Sequence, residues 1–343
     1  MKSVIAARGR TRVACATPRK GRIFSVVRHF AIAAGFAMTM GAHAAYPDKP
    51  VQIIISFPPA GATDVLARAV GHELSAELGQ SVVVENRPGA GGAIGLVAAA
   101  RAEPNGYGLY LAASTNQAIA ASVYRNQAAS LVKDFVPIGA VGFAPHALVV
   151  PSSLPVNNVK ELIAYIKASP DKYNFASQGT GTLSHLEGQL FVDANKLRIT
   201  HIPYKGSSQA LPDVVNGSSI MMFDSITGSS GLVKAGKLKF LAVASNSRIS
   251  LLPDVPTLAE AGVKNVAADN LFGLLAPKGT SQEVIDKVSA ALKRVLAKPD
   301  LQSRLAAQGA ELRFTPGPEF GRIVAEEHRY WGDVVRAAKV NVN

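Results

Sequence analysis

An apolar, β-branched run from Val51 to Ile55 stops abruptly at Ser56-Phe57-Pro58-Pro59-Ala60-Gly61, and a helical pattern begins near Thr63 and Asp64. β-branched residues favour a strand, and the two prolines end it. The predicted unit is therefore a strand, a tight loop and a helix N-terminus whose first amides point outward. Such a corner binds anions without a cationic side chain, because the unpaired N–H groups and the helix dipole both favour negative charge. The same residues also read as an ordinary strand-to-helix turn, with Thr63 or Asp64 as the cap.

Strand and helix signals alternate through most of the chain. Strands are predicted at 51–56, 82–85, 108–112, 136–141, 147–150, 173–176, 199–202, 220–223, 239–244 and 271–275. Helices are predicted at 63–78, 94–102, 159–168, 182–194, 208–215, 282–296, 301–307 and 318–338. This alternation predicts an α/β fold with mainly parallel sheets. The chain is expected to cross between two domains twice, near Gly142–Pro145 and near Ala267–Phe272. One domain is then discontinuous, 45–144 plus 271–343, and the other continuous, 145–270. Two crossing strands form a natural hinge.

The first 44 residues read as a leader rather than as part of the fold. They hold eight basic residues and no acidic one, then an apolar run from Phe30 to Met40, then Ala42-His43-Ala44. That order is a secretory signal peptide, and the apolar run is too short to span a bilayer. With no twin-Arg pair, the general secretory route is expected. The whole chain carries +12, of which the leader supplies +8, leaving +4 on the remaining 299 residues. The high pI is thus largely a property of the leader, and no clustered basic stripe argues for nucleic acid. The one cysteine, Cys15, lies in the leader. The rest of the chain therefore has no disulfide, no thiolate nucleophile and no Cys-based metal site. Its length favours two domains.

Three further stretches carry chemistry. Glu85-Asn86-Arg87-Pro88-Gly89-Ala90-Gly91-Gly92-Ala93-Ile94-Gly95 nearly matches a dinucleotide fingerprint. Position 94 is Ile where a third Gly is needed, and 113–117 hold no acid for a ribose. No cofactor is expected; close packing of a helix on the first loop fits better. Ser177-Gln178-Gly179-Thr180-Gly181-Thr182-Leu183-Ser184-His185 opens a helix after a short strand. Its hydroxyls and amides suit a second anion nest. Thr182 as a cap and His185 as a structural donor is the plainer alternative. His201-Ile202-Pro203-Tyr204-Lys205-Gly206 and Met222-Phe223-Asp224-Ser225 fall at strand ends, where α/β clefts form.

These segments, with Leu251–Thr257 and Leu271–Pro277, resemble the tripartite tricarboxylate transporter receptors, the Bug or TctC-like periplasmic substrate-binding proteins. The resemblance runs from Tyr46-Pro47-Asp48-Lys49-Pro50 nearly to the C-terminus. It implies a two-lobed, Venus-flytrap fold closing on a small organic acid whose carboxylate is held by amides, partly through water. It nominates Phe57, Ala60, Gly61, Thr63 and Asp64 from one lobe. From the other it nominates Ser177, Gly179, Thr180, Thr182, His185, Tyr204 and Asp224, with Ser114 and Asn116 completing the pocket. The implied partners are a small organic acid ligand (a di- or tricarboxylate, an acidic amino acid or an aromatic carboxylate) and the membrane subunits of a transporter or a sensor's periplasmic domain. A monomer is expected. Two departures stand out: Ala60 where the family usually has Gly, and Thr180 where Asn is common. The methyl at position 60 predicts a conventional backbone angle there.

The alternative of a secreted hydrolase lacks its marks. There is no Gly-x-Ser-x-Gly elbow, and His72-Glu73 is followed by Ala at position 76 rather than His. Ser169-Pro170-Asp171-Lys172 matches Ser-x-x-Lys formally but suits a turn. No enzyme activity and no metal site is expected. A purely adhesive or structural role is the third reading, and the many cleft-forming units argue against it.

Overall fold

In the computed structural model, residues 12–16, 46–124, 126–264, 266, 268–338 and 340 are described. The expected leader lies outside them except for 12–16, as does Ala267 at the second crossing. Residues 46–343 form one compact unit.

In chain order the strands are β1 (Val51–Ile55), β2 (Val82–Asn86), β3 (Gly108–Ala113), β4 (Phe135–Phe143), β5 (His146–Pro151), β6 (Asn174–Ser177), β7 (Thr200–Pro203), β8 (Met221–Ser225), β9 (Leu238–Val243), β10 (Leu271–Pro277) and β11 (Glu311–Pro316). The helices are α1 (Ala62–Leu78), α2 (Ala93–Ala100), α3 (Ser114–Val123), α4 (Val159–Lys167), α5 (Leu183–Ala194), α6 (Ser207–Val215), α7 (Ile226–Lys234), α8 (Gln282–Leu296), α9 (Pro299–Ala306) and α10 (Gly317–Ala337). They build two sheets, ordered β11-β4-β10-β3-β1-β2 and β7-β6-β8-β5-β9.

Each sheet is buried on both faces, as continuous apolar strands require. Along β1, Val51, Ile53 and Ile55 meet Leu66, Val70 and Leu74 of α1 and Val288 and Leu292 of α8. Ile54 points the other way, into a cluster with Tyr110, Leu96 and Phe320. In the second sheet Phe175 and Phe223 pack with Leu162 and Ile166, while Val149 and Met222 pack with Leu211 and Val214 on the opposite face.

The sheets are mixed rather than mainly parallel. β1–β2, β1–β3, β6–β7 and β6–β8 are parallel. The five pairings through β4, β5 and β10 are antiparallel. The cause is topological: a chain that leaves a sheet and later re-enters it beside its exit strand runs back against it. β4 leads through Ala144-Pro145 into β5, and β10 returns beside β4. The Ala144 amide donates to the Asn270 carbonyl at 3.0 Å, so the two crossings touch.

Sequence reading missed three elements. β11 is an edge strand of half-exposed, polar-rich residues with a weak alternating pattern. α3 and α7 begin directly where β3 and β8 end, with no breaker between.

Candidate functional site

The first corner forms as expected, with one difference in its cap. Gly61 precedes α1 and gives it no side-chain cap. Thr63 and Asp64 lie inside the first turn, so neither closes it. Asp64 instead folds back under the loop. Its Oδ2 accepts the Ala60 amide at 3.1 Å, and its Oδ1 accepts Arg68 Nε and Asn86 Nδ2, each at 2.9 Å. Asn86 also donates to the Phe57 carbonyl at 3.0 Å. Partial burial pushes the Asp64 carboxyl up, but the bonds from Arg68, Asn86 and Ala60 outweigh it and hold the group below its usual range. Asp64 thus braces the loop as a carboxylate.

Ala60 does not take a conventional angle: its φ is 68°. The Asp64 bond to its own amide, four residues on, holds the chain in that left-handed turn. An L-residue there costs about 1–2 kcal/mol, while glycine loses about 0.5–1 kcal/mol more backbone entropy on folding. Ala60→Gly is therefore expected to stabilise the protein by about 0.5–1 kcal/mol. A urea midpoint that stays put or falls refutes this.

A second uncapped helix N-terminus meets the first. Gly206, at φ 130°, precedes α6 without a side-chain cap. Gly61, Ala62 and Thr63 on one side and Gly206 and Ser207 on the other line one cavity of about 20 Å³, closed by Phe57, Pro58, Asn116, Gln178 and Asn270. The two helix starts flank different sheets, yet both line this one cavity. That volume holds about one water. The walls are tight: a Cβ on Gly206 would stand 2.6 Å from Pro58 Cγ and Cδ.

A second chamber of about 150 Å³ adjoins the first through Phe57 and Gln178. Gly89–Gly92 and Tyr124 line it on one side, and Gly179, Thr180, Tyr204 and Lys205 on the other. The Gly-rich turn packs close, as expected: a Cβ on Gly95 would stand 2.7 Å from Ser56 Cα.

The remaining expected residues stand behind these walls. Asp224 is fully buried, and its Oδ1 accepts Ser207 Oγ at 2.6 Å and Gln178 Nε2 at 2.8 Å. Burial pushes its carboxyl up, against those two bonds. Thr182 caps α5, accepting the His185 amide at 3.3 Å. His185 Nδ1 faces the Gly181 amide at 3.3 Å, and its ring stacks on His201 at 4.1 Å. Burial pushes the two imidazoles down, to about 4 for His185 and about 3 for His201. Ser177 Oγ contacts His201 Nε2 at 2.7 Å and accepts the Gly179 amide at 3.1 Å. Ser114 donates to the Leu271 carbonyl at 3.0 Å. Phe223 is core. Of the expected residues, Phe57, Gly61, Thr63, Asn116, Gly179, Thr180 and Tyr204 line the chambers. Ala60, Asp64, Ser114, Ser177, Thr182, His185 and Asp224 support them.

Sequence reasoning missed Gln178, Gly206, Ser207 and Asn270. All four lie in or beside stretches it singled out, Asn270 within the expected second crossing, but nothing local marks Asn270 as a cavity wall. A larger groove of about 1290 Å³ beside Ile94, Val97 and Tyr124 is lined by none of the expected residues and faces no paired helix ends.

Residues 66–340 match the family model described as the tripartite tricarboxylate transporter family receptor. Protein BugT of Bordetella pertussis is 35% identical over 92% of this chain and 97% of its own length. The structure of the periplasmic binding protein BugD is similar at a TM-score of 0.82 and 36% identity, covering 87% of this chain and 100% of that one. MatC from Rhodopseudomonas palustris, with bound malate, is similar at a TM-score of 0.78 and 31% identity, covering 84% and 100%. The matched family is one of receptors, not enzymes, and the hydrolase reading falls with it. The family-model match over residues 66–340 and 35% identity to BugT over nearly the whole of both chains make this chain a member of the tripartite tricarboxylate transporter receptor family.

Proposed function

We propose that this chain is a periplasmic receptor that captures a small organic acid by closing two lobes, 45–144 plus 271–343 and 145–270, on its carboxylate. The observation that carries the reading is the pair of uncapped helix N-termini, at Gly61 and Gly206, converging on one cavity. Each supplies backbone amides and a positive dipole end. An anion between them touches both lobes, so it binds the closed arrangement better than the open one. Sheet membership supports the lobe boundaries, since every strand of the second sheet lies within 146–243. The tight first cavity implies that the acid enters an opened form. The adjoining chamber then takes the rest of the ligand. Residues 1–44 act as the secretory leader, and the delivered acid passes to transporter membrane subunits or a sensor domain.

A thermal-shift panel of malate, adipate, citrate, glutamate, nicotinate and terephthalate tests this. A ligand at a hundred times its dissociation constant adds about 2.7 kcal/mol of stability. A concentration-dependent rise with one structural class is expected. No rise with any of the acids counts against carboxylate capture. Asp64→Ala removes the brace on Ala60 and on Asn86, which holds the Phe57 carbonyl, and is expected to weaken binding of the acid so found at least about tenfold, about 1.4 kcal/mol, with the fold retained. Unchanged affinity by calorimetry removes Asp64 from the site.

A further inference from the structure

Thr115, fully buried on α3, carries one hydroxyl with three neighbours. Its Oγ1 accepts the Leu271 amide at 3.1 Å. It also lies 3.3 Å from the Asp269 carbonyl and 2.7 Å from Glu327 Oε1 on α10. A hydroxyl has a single proton, so it cannot donate to both oxygens. If Thr115 donates to Asp269, then Glu327 must donate to Thr115, which only the protonated acid can do. If Glu327 is ionised it accepts only, takes the Thr115 proton, and leaves the Asp269 carbonyl without its donor.

The surroundings of Glu327 favour the acid. Its Oε2 is sealed from solvent with no hydrogen-bond partner, which suits a carbonyl-type oxygen far better than half of a carboxylate. Burial pushes the carboxyl up to about 7, against the Thr115 contact and the nearby Ser114 and Trp331 side chains, neither of which hydrogen-bonds Oε2. Of the charged groups on the neighbouring elements, Glu311 and Arg313 of β11 and His146 of β5 act on Asp269 of the crossing, and none acts on Glu327.

The strand being held matters to the cleft. Asp269–Leu271 is the end of the second crossing. Asn270 lines the first cavity and accepts Asn116 Nδ2 at 3.3 Å. Asn116 Oδ1 in turn accepts the Leu183 amide, at the start of α5, at 2.8 Å. The Asn270 carbonyl takes the Ala144 amide of the first crossing. Both crossings, the cavity and α5 therefore meet at the residue between the two that Thr115 grips.

We propose that Glu327 is a positioning residue for capture: as the neutral acid it turns the Thr115 proton onto the Asp269 carbonyl and so steadies Asn270 at the cavity, and on losing its proton it frees that carbonyl and loosens the strand at its start, while Thr115 keeps the Leu271 amide. The consequence for capture rests on the receptor reading, whereas the latch itself does not. The test is hydrogen exchange by mass spectrometry on the peptide spanning 268–273, without added acid, from pH 5.5 to 8.5 and corrected for intrinsic exchange. In the wild-type protein, protection is expected to fall about fivefold between pH 6 and 8, the scale of one hydrogen bond. Glu327→Gln stays a donor at every pH and is expected to hold protection flat. The same pH step in both proteins overturns the proposal. If Glu327→Gln does not fold, Thr115→Ser is expected to keep the step and Thr115→Val to abolish it, and equal steps in the two overturn it. A failed latch leaves the receptor reading standing, and a failed acid panel leaves the latch standing.

Discussion

Gly91→Ala is expected to weaken capture of the acid by roughly 5- to 150-fold. Gly91 belongs to the turn before α2, on the first-sheet side of the cleft. A Cβ there would stand 2.7 Å from the Thr180 carbonyl, a backbone atom on the opposite side, and 3.1 Å from Tyr124 Cε2. Overpacking of this kind costs about 1–3 kcal/mol, and tenfold in affinity is about 1.4 kcal/mol. The contact with Thr180 exists only while the two sides touch, so the cost falls on the closed state. The left-handed angle of Gly91, φ 60°, adds about 1–2 kcal/mol of strain in every folded state. Affinity and stability therefore separate. Calorimetry reads the first loss, and urea unfolding without ligand reads the second. Wild-type affinity in Gly91→Ala rules out closure through this contact.

His146→Ala is expected to cost about 3–5 kcal/mol of stability, the penalty for stripping one partner from a buried ion pair. His146 begins β5 directly after the first crossing, and its Nδ1 stands 2.7 Å from Glu187 Oε2 on α5. The two side chains are 0% and 1% exposed. Burial alone pushes the His146 imidazole down, but Glu187 overrides it and the net direction is up. Burial pushes Glu187 up to about 7, against the pull of His146. Both groups thus bind a proton more firmly folded than unfolded. Their contribution to stability is full at low pH. For Glu187 it is lost as pH rises from its ordinary value near 4.5 through about 7. For His146 it is lost above its ordinary 6.5.

His185 and His201 have the opposite sign. Their folded-state values are depressed to about 4 and about 3, so their contribution is present above 6.5 and lost as pH falls through those values. Stability is expected to decline on both sides of mildly acidic pH, and in His146→Ala the alkaline decline is expected to steepen, because Glu187 loses the partner that holds its carboxyl down, while the acid limb is unchanged. A wild-type-like alkaline limb in that variant, or a loss below about 1 kcal/mol, refutes the role given to the pair.

The features legible along the chain are local. Val51–Ile55 followed by Pro58-Pro59 and Gly61 can hardly be anything but a strand, a loop and a helix start. The Thr182 cap was legible because the capping residue and the amide it accepts lie three positions apart. The Gly-rich turn at 89–92 declared its close packing through composition alone. Each of these signals acts within one turn of chain.

The rest follows from contacts between segments far apart in the chain. Nothing in Gly206-Ser207 says that its helix end faces Gly61, because two dipoles converge only when two sheets are set against each other. Ala60 takes a left-handed angle against its own preference, since a bonded loop outweighs about 1–2 kcal/mol of local strain. Whether the sheets run parallel or mixed depends on where the chain re-enters, which no window of residues records. Asn270 became a cavity wall, and Glu327 reached Thr115 across 212 positions, through packing alone. Local propensity is written in neighbours along the chain, whereas a cleft is made of neighbours in space.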